Sequence, residues 1–183
     1  MHTMEEIKAT IPDYAKDIRL NLDSVLSRSS LTPEDAAGAA LAAAFAAKDK
    51  GLAAAIESTG ILSASETQAA RTAAALMAMT NPWYKFVDMV GDPEVKTLPA
   101  QLRMNAYQNF GGVERRKFEL YALSASVVGG CKTCVSAHSE TLKQDGLSPT
   151  QVRDVARIAA VINAAATVRA MNATEQELAE SSV

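Results

Sequence analysis

The stretch from Ala36 to Ala47 consists almost entirely of alanine, and it limits what this chain can fold into. Alanine has the highest helix propensity and a low strand propensity, and its small side chain lets helices pack closely. Hydrophobic residues make up 48% of the chain and aromatic residues only 5%, which also suits closely packed helices. We therefore predict an all-α helical bundle. At 183 residues, the chain suits one domain, residues 1–183.

Start and stop signals divide the chain into predicted helices. Thr32 and Pro33 form an N-cap and a first-turn proline, and the helix that they begin runs toward Ala47. Pro82 is predicted to interrupt or bend a second helix, because proline lacks the backbone N–H that a helix interior needs. The predicted helices are Tyr14 to Leu26, Thr32 to Ala47, a short one between Gly51 and Gly60, Ser65 to Met79, Glu114 to Val128, Cys131 to Gln144 and Ser148 to Met171, and Gly91 to Pro99 is a predicted loop.

The two halves of the chain show weak internal sequence similarity. Residues 34–63 and 119–148, each 30 residues long, both lead from a glutamate through a helix of small residues to Leu-Ser. A two-fold repeat in this register sets Cys131, Cys134 and His138 opposite Ala46, Asp49 and Ala53. Only the second half would then carry reactive side chains.

Charge and hydropathy narrow the cellular setting. The net charge of −3 indicates neither a nucleic-acid partner nor an anionic membrane surface. No apolar run approaches the roughly 18 to 20 residues of a membrane span, and Met1 to Lys8 lacks the apolar core of a secretory signal. We therefore expect a cytoplasmic protein. Structural disulfides are rare in that compartment, so a Cys-x-x-Cys pair there is more often catalytic or metal-binding.

The segment Cys131-Lys132-Thr133-Cys134-Val135-Ser136-Ala137-His138 contains the side chains best suited to chemistry. Gly129-Gly130 allows a tight turn that puts both cysteines in the first turn of a helix, where free N–H groups and the helix dipole favour a thiolate. Cysteines three residues apart can meet to form a disulfide. His138 lies on the same helix face, where it can accept a thiol proton, and Glu119 can reach His138 if the two helices pack antiparallel.

Other interpretations of these residues stay open. Cys131 and Cys134 can be two ordinary buried helix residues, although the double glycine and the same-face histidine favour redox chemistry. Zinc needs a fourth ligand, and the only other histidine is His2 near the chain start, so we predict no metal site. Taken alone, Glu119 is more often an exposed or ion-paired carboxylate than a catalytic one.

The remaining bulky side chains are predicted to serve packing. Trp83, Tyr84 and Phe86 form a short aromatic cluster that is most simply explained as core. Met77 and Met79 are likewise interpreted as packing residues and not as part of a cofactor site.

Through this motif and the segments around it, the chain resembles the alkyl hydroperoxidase D family, the AhpD-like proteins. Their hallmark is a glutamate, a gap and then Cys-x-x-Cys-x-x-x-His. The likeness covers nearly the whole chain. It is carried here by Ile7 to Ala9, Pro12 to Ile18, Leu20 to Leu22, Leu102 to Asn105, Phe118-Glu119-Leu120, Ser124 to Ser126, Gly130 to Cys134 and Ala137-His138.

The resemblance implies a function and a role for each residue of the motif. It implies a homotrimer that reduces organic hydroperoxides and hydrogen peroxide with no bound cofactor or metal. Cys134 would be the peroxidatic cysteine, Cys131 the more exposed resolving cysteine, and Glu119 with His138 the proton relay. Electrons would come from dihydrolipoamide carried by a lipoylated 2-oxoacid dehydrogenase component and regenerated by dihydrolipoamide dehydrogenase. The peroxiredoxin AhpC would be a further partner.

One position departs from the family pattern. Members often have a histidine directly before the second cysteine, and this chain has Thr133 there. A threonine hydroxyl cannot act as a base near pH 7. We expect activity to survive, weakened by on the order of 100-fold or more if that histidine takes part directly.

Three competing functions remain at this point. One is a dithiol-disulfide oxidoreductase that acts on protein disulfides. Another is the ring chemistry of the carboxymuconolactone decarboxylases, which share the fold but lack the paired cysteines. The third is a redox sensor without turnover, in which the disulfide changes the contacts between subunits.

Overall fold

The computed structural model describes the backbone of residues 3–181 and the side chains of residues 3–173. Within them the chain forms ten α-helices and no strand, which confirms the all-α prediction. The helices are α1 (Met4–Ala9), α2 (Lys16–Ser27), α3 (Pro33–Ala46), α4 (Lys50–Glu57), α5 (Ala64–Met89), α6 (Pro93–Thr97), α7 (Asn105–Gln108), α8 (Arg115–Gly129), α9 (Lys132–Gln144) and α10 (Pro149–Ser181). None of the described helices is long and apolar enough to cross a bilayer.

Local signals account for most helix starts. The Thr32 hydroxyl accepts a hydrogen bond from the backbone N–H of Asp35 at 3.1 Å, and Pro33 follows it as the first helical residue, as predicted. Helix α1 was not predicted, although Thr3 and Glu6 cap each other's backbone groups in a capping box there. The predicted loop from Gly91 to Pro99 contains the short helix α6.

The core forms where α3, α5, α8 and α10 pack together, and small residues make that packing close. A Cβ atom on Gly38 would lie 2.1 Å from the Tyr121 ring, so the α3 backbone rests directly on an α8 side chain. At the same contact, the buried Ser124 hydroxyl donates to the Ala39 carbonyl oxygen at 2.6 Å. Alanine on every side of α3 therefore allows this helix to be surrounded by its neighbours.

The sequence predicts that Asn81-Pro82 interrupts or bends helix α5. Helix α5 continues through Pro82 to Met89, so the interruption is wrong, and the bend stays a prediction. Proline removes one backbone hydrogen bond, the one that would reach the carbonyl of Ala78. Both Pro82 and Ala78 are exposed, so water can solvate that carbonyl and the loss is limited. Thr80 and Asn81, directly before Pro82, are buried, and packing there favours a continuous helix.

The aromatic cluster just beyond Pro82 does not lie in the core, and that prediction is also wrong. Tyr84 is 40% exposed and Phe86 43% exposed, and only Trp83 is partly covered. These residues follow the part of α5 that α3 and α8 cover. Fully buried aromatic rings are instead contributed by α8, where Phe118 and Tyr121 are inaccessible to solvent.

The order of helices in the two halves is similar, but the predicted register matches the helix starts of only one of three pairs. In each half the second helix is the shortest and the third is the longest: α3, α4 and α5 have 14, 8 and 26 residues, and α8, α9 and α10 have 15, 13 and 33. Pro33 and Arg115, which begin α3 and α8, are 82 residues apart, and so are the N-cap residues Asp49 and Cys131. The starts of the first two helix pairs therefore set Cys131 opposite Asp49 and not opposite Ala46. Ala64 and Pro149, which begin α5 and α10, are 85 residues apart, as in the predicted register.

A buried carboxylate fastens α10 to the turn between α2 and α3. Asp154 is 2% exposed, and its Oδ2 atom accepts hydrogen bonds from the backbone N–H and the hydroxyl of Ser30, both at 2.8 Å. Its Oδ1 atom accepts from Arg153 and Arg157 at 2.9 and 3.0 Å. Burial alone would raise the pKa of Asp154, but the bonds from Ser30 and the two arginines hold that pKa well below its usual value.

We expect Asp154→Asn to lower the free energy of unfolding by about 1–3 kcal/mol at pH 7, because an NH2 donor replaces one acceptor oxygen and the other oxygen accepts without a charge. A carboxylate with a lowered pKa stabilises the fold above its unfolded pKa of about 4, and that contribution disappears as the pH falls further. The difference in free energy of unfolding between wild type and Asp154→Asn should therefore become smaller below about pH 4. Urea unfolding followed by circular dichroism at pH 7 and pH 3 measures it. Asp17→Asn, at an exposed carboxylate of α2, is the control, and equal effects of both variants would contradict the expectation.

Candidate active site

Two glycines shape the turn that joins α8 to α9. Gly130 adopts the left-handed conformation with φ of 63°, and its N–H donates to the Val127 carbonyl at 3.1 Å. Gly129 is needed for space, since a Cβ atom there would lie 2.1 Å from the Asn81 amide nitrogen. One glycine supplies the backbone conformation, and the other lets α5 approach the turn.

Cys131 and Cys134 lie at the start of α9 and are joined by a disulfide, with their Cα atoms 5.3 Å apart. Cys131 is the N-cap residue, and its sulfur accepts a hydrogen bond from the backbone N–H of Cys134 at 3.2 Å. The predicted placement of both cysteines at a helix N-terminus is confirmed. Free N–H groups and the positive end of the helix dipole surround the sulfur atoms, and both stabilise a thiolate after reduction.

The structure differs from expectation in which cysteine is exposed. Cys131 is fully buried, whereas Cys134 is 5% exposed and lines a cavity. The expectation that Cys131 is the more exposed cysteine is therefore wrong in this disulfide form. The N-cap position explains the difference, because it turns the Cys131 sulfur toward the N-terminus of α9, where it contacts the backbone N–H of Cys134.

Three side chains on one face of α5 hold this turn in place. Asn81 comes directly before Pro82, and Lys85 and Asp88 lie in the part of α5 that follows Pro82. The Ser126 hydroxyl donates to Asn81 Oδ1 at 3.1 Å, Lys85 Nζ donates to the Gly129 carbonyl at 3.3 Å, and the Thr133 hydroxyl donates to Asp88 Oδ2 at 2.7 Å.

Thr133, where the family pattern often has a histidine, lines the cavity and is tied to α5. Its hydroxyl hydrogen is engaged by the Asp88 carboxylate, which fixes the rotamer of the side chain. The contact is exposed, so water also reaches both groups. Thr133 therefore serves as a tether between α9 and α5, and it offers no group that titrates near neutral pH.

Glu119 and His138, far apart in sequence, form a buried pair. The Nδ1 atom of His138 lies 2.7 Å from Glu119 Oε2, and the two residues are 7% and 2% exposed. The Tyr107 hydroxyl donates to the other carboxylate oxygen of Glu119. The predicted contact between Glu119 and His138 is thus present, and the catalytic roles of the two residues stay a prediction.

Electrostatics keep Glu119 in its charged form. Burial is the largest influence and on its own raises the pKa of this carboxyl group, but the hydrogen bonds from His138 and Tyr107 together bring that pKa below its ordinary value. Burial, and then the bond to Glu119, raise the pKa of Tyr107 well above its usual value, so the phenol stays a donor. A carboxylate on Nδ1 fixes the hydrogen on that nitrogen and leaves Nε2 for proton exchange.

The second nitrogen of His138 points toward Met77. Nε2 lies 3.3 Å from Met77 Sδ, and both residues line the same cavity as Cys134. Among the described residues no hydrogen bond joins His138 to either cysteine sulfur in the disulfide form. Met77, predicted to serve only packing, therefore also contacts the imidazole.

The cavity above Cys134 has a volume of about 700 Å³, within the usual range for small-molecule sites. It is lined by α5, by the segment 102–108 and by α9, and much of the lining is apolar. The lining residues are Met77, Thr80, Tyr84, Leu102, Arg103, Met104, Asn105, Tyr107, Gln108, Thr133, Cys134, Ala137 and His138.

Metal binding finds little support in the described part of the chain. No three histidine, cysteine, aspartate or glutamate side chains gather there in a way that could hold an ion. Cys131 and Cys134 are bonded to each other. His2, considered above as a further ligand, lies outside the described residues.

Sequence patterns alone did not identify Tyr107, Asp88 or Asn81 as members of the site. Each belongs to an element separated from the cysteines by more than twenty residues, and no periodicity links them to the motif. One signal was available for Tyr107. It lies only two residues after Leu102 to Asn105, a segment in which the chain resembles the AhpD-like proteins.

We expect Tyr107→Phe to raise the pKa of Glu119, because the carboxylate loses one of the two bonds that favour its charged form. Titration of the Glu119 carboxyl carbon by NMR measures this shift. Tyr84→Phe is the matched control, since Tyr84 lines the same cavity without bonding to Glu119. An unchanged titration in Tyr107→Phe would contradict the proposed hydrogen bond.

Comparison with known proteins agrees with this geometry. The model of the carboxymuconolactone decarboxylase family matches residues 93–176, which include Tyr107, Glu119, both cysteines and His138. The chain is 47% identical to alkyl hydroperoxide reductase AhpD of Rhodospirillum centenum over 168 residues, or 91% of this chain and 90% of the relative. It is 44% identical to AhpD of Bradyrhizobium sp. over 166 residues, with 90% and 91% covered. It is 42% identical to AhpD of Coxiella burnetii over 170 residues, with 90% and 96% covered.

The resemblance noted from the sequence is therefore confirmed over nearly the full length of the chain and of its relatives. Identity this high over this length, together with an intact Cys-x-x-Cys-x-x-x-His motif, shows that the chain belongs to the AhpD family of alkyl hydroperoxide reductases.

Proposed function

We propose that this protein is a thiol-dependent peroxidase that reduces alkyl hydroperoxides and hydrogen peroxide through Cys134 and Cys131. One observation supports this most directly: Cys134 lines an apolar cavity and is within bonding distance of a second cysteine. The names of the relatives, alkyl hydroperoxide reductase AhpD, agree with it. The ring chemistry of the carboxymuconolactone decarboxylases has no use for such a pair.

The chemistry balances without a bound cofactor. The Cys134 thiolate attacks the terminal oxygen of the hydroperoxide, an S–O bond forms, the O–O bond breaks, and the leaving alkoxide takes up a proton to become an alcohol. Cys134 is then a sulfenic acid. The Cys131 sulfur attacks it, water leaves, and the disulfide seen in the structure results. Two electrons have passed from the two thiols to the peroxide.

Glu119, His138 and Tyr107 supply the proton handling in this proposal. The Glu119 carboxylate binds Nδ1 of His138, so Nε2, next to the cavity, takes the proton from Cys134 and returns it to the leaving oxygen. Tyr107 is a positioning residue, because its hydroxyl holds the second oxygen of Glu119. Reduction of the disulfide must also free Cys134 to approach Nε2, which faces Met77 in the oxidised form.

A dithiol returns the enzyme to its reduced state. Attack on the disulfide gives a mixed disulfide and then a cyclic product, with two electrons passed back to Cys131 and Cys134. The family resemblance favours dihydrolipoamide on a lipoylated dehydrogenase component, with AhpC as a further partner. A slender lipoyl arm suits an entrance that exposes only 5% of Cys134. Reduction by such donors belongs in the cytoplasm, where thiols are kept reduced.

Assembly as a homotrimer belongs to the same proposal. A series of large apolar side chains is exposed along the end of α5 and the segment that follows it. They are Tyr84, Phe86, Met89, Leu98 and Leu102. Exposed apolar side chains at this density are typical of surfaces that other chains cover.

We expect peroxide-dependent NADH oxidation in a coupled assay with dihydrolipoamide dehydrogenase, lipoamide and cumene hydroperoxide. Turnover should be abolished in both Cys131→Ser and Cys134→Ser, since each removes one of the two sulfur atoms. His138→Phe should lower kcat by on the order of 100-fold or more, because the proton relay is lost. Ser136→Ala, at an exposed position of the same helix, is the control and should behave as wild type.

The two cysteine variants also separate the roles of the thiols. A stoichiometric sulfenic acid should form with peroxide in Cys131→Ser and be trapped by dimedone, and none should form in Cys134→Ser. The reverse pattern would exchange the two roles. A folded, reduced wild-type protein without turnover would overturn the proposed function and favour a protein disulfide oxidoreductase or a redox sensor.

A further inference from the structure

Arg103 differs from the other arginines in how its charge is satisfied. Seven of the nine arginines form ion pairs with carboxylates, namely Arg19, Arg71, Arg115, Arg116, Arg153, Arg157 and Arg169. Arg28 and Arg103 form none with the described residues. Arg28 caps the C-terminal end of α2, where the helix dipole favours a cation. Arg103 is exposed and lines the cavity above Cys134.

The cavity lining has no negative charge to balance this guanidinium. Apart from Arg103, the only side chain of the lining that can be a cation is His138, and no aspartate or glutamate is part of it. Two carboxylates lie close behind the lining, and both are already engaged. Glu119 is 2% exposed and accepts bonds from Tyr107 and His138, and Asp88 accepts one from Thr133.

Much of the remaining lining suits a hydrocarbon chain, although Thr80, Asn105 and Gln108 add polar groups to it. Met77, Leu102, Met104 and Ala137 contribute apolar surface to the same cavity lining as the arginine and Cys134. An occupant that matches the whole cavity therefore has an apolar body and one anionic group. A neutral hydroperoxide would leave the arginine without a partner. A hydroperoxide that carries a carboxylate would engage it through charge-assisted hydrogen bonds.

We propose that Arg103 selects hydroperoxides whose alkyl chain carries a carboxylate, such as hydroperoxides of fatty acids. This inference rests on the proposed function and names the substrate class of the same site. Arg103 binds the carboxylate at the cavity mouth while the chain lies along the apolar wall, and the O–O bond meets Cys134. Because Arg103 is exposed, the preference is modest, on the order of fivefold to tenfold in kcat/KM at low ionic strength, and salt weakens it.

The test compares a monomeric long-chain fatty-acid hydroperoxide with its methyl ester, which differ only in the carboxylate. The ratio of kcat/KM for acid over ester is measured in wild type, Arg103→Met, Arg103→Lys and Arg28→Met. We expect the ratio to fall toward one in Arg103→Met, to be partly kept in Arg103→Lys and to be unchanged in Arg28→Met. The corresponding hydroxy acid, which is the reaction product, should also bind more weakly to Arg103→Met, as measured by calorimetry.

The outcomes separate the two proposals. A wild-type ratio near one with rapid turnover of both peroxides overturns the substrate class and leaves the peroxidase standing. A ratio that Arg103→Met does not change also overturns it. Dihydrolipoate and dihydrolipoamide form a second pair. Dihydrolipoate carries a carboxylate and dihydrolipoamide does not. If Arg103→Met changes the preference for the charged compound only between these two donors, Arg103 binds the reductant and the proposal is overturned. Absence of turnover with every hydroperoxide overturns both proposals.

Discussion

The contact between α5 and the turn from α8 to α9 determines where both sulfur atoms and the imidazole of the site lie. Gly129 lets Asn81 come close, Lys85 bonds to the Gly129 carbonyl, and Asp88 bonds to Thr133, so the turn and the start of α9 are fixed against α5. The first turn of α9 carries both cysteines, and the next turn carries His138. A displacement of this turn would move the sulfur atoms and the imidazole together relative to the cavity wall. Catalytic groups generally depend on such support from their surroundings.

Much of the fold and of the motif could be predicted because the information is local. Thr32 at a helix start, the alanines of α3 and a glycine after α8 each act on their own backbone or on adjacent turns. The spacing of Cys131, Cys134 and His138 on one helix is local in the same sense. These features can be recognised in a single sequence, since their geometry follows from 3.6 residues per turn.

What could not be predicted depends on contacts between distant segments. Pro82 carries a helix-breaking signal, and the helix continues only because Thr80 and Asn81 are buried against neighbouring elements while Ala78 is exposed. Burial of Cys131 and the bond from Tyr107 to Glu119 likewise depend on how other helices approach α9. No local pattern shows which distant helix will cover a given side chain.

In the proposed mechanism, the unequal burial of the two sulfur atoms also affects the order of events during turnover. Cys131 is fully buried, and the cavity reaches the disulfide at Cys134. An oxidant and a reductant that both react through Cys134 therefore use the same entrance and cannot occupy it together. One product must leave before the other reactant arrives, which is the physical basis of ping-pong kinetics. Each reactant would then slow the other at high concentration, and throughput would depend on the balance between peroxide and dithiol.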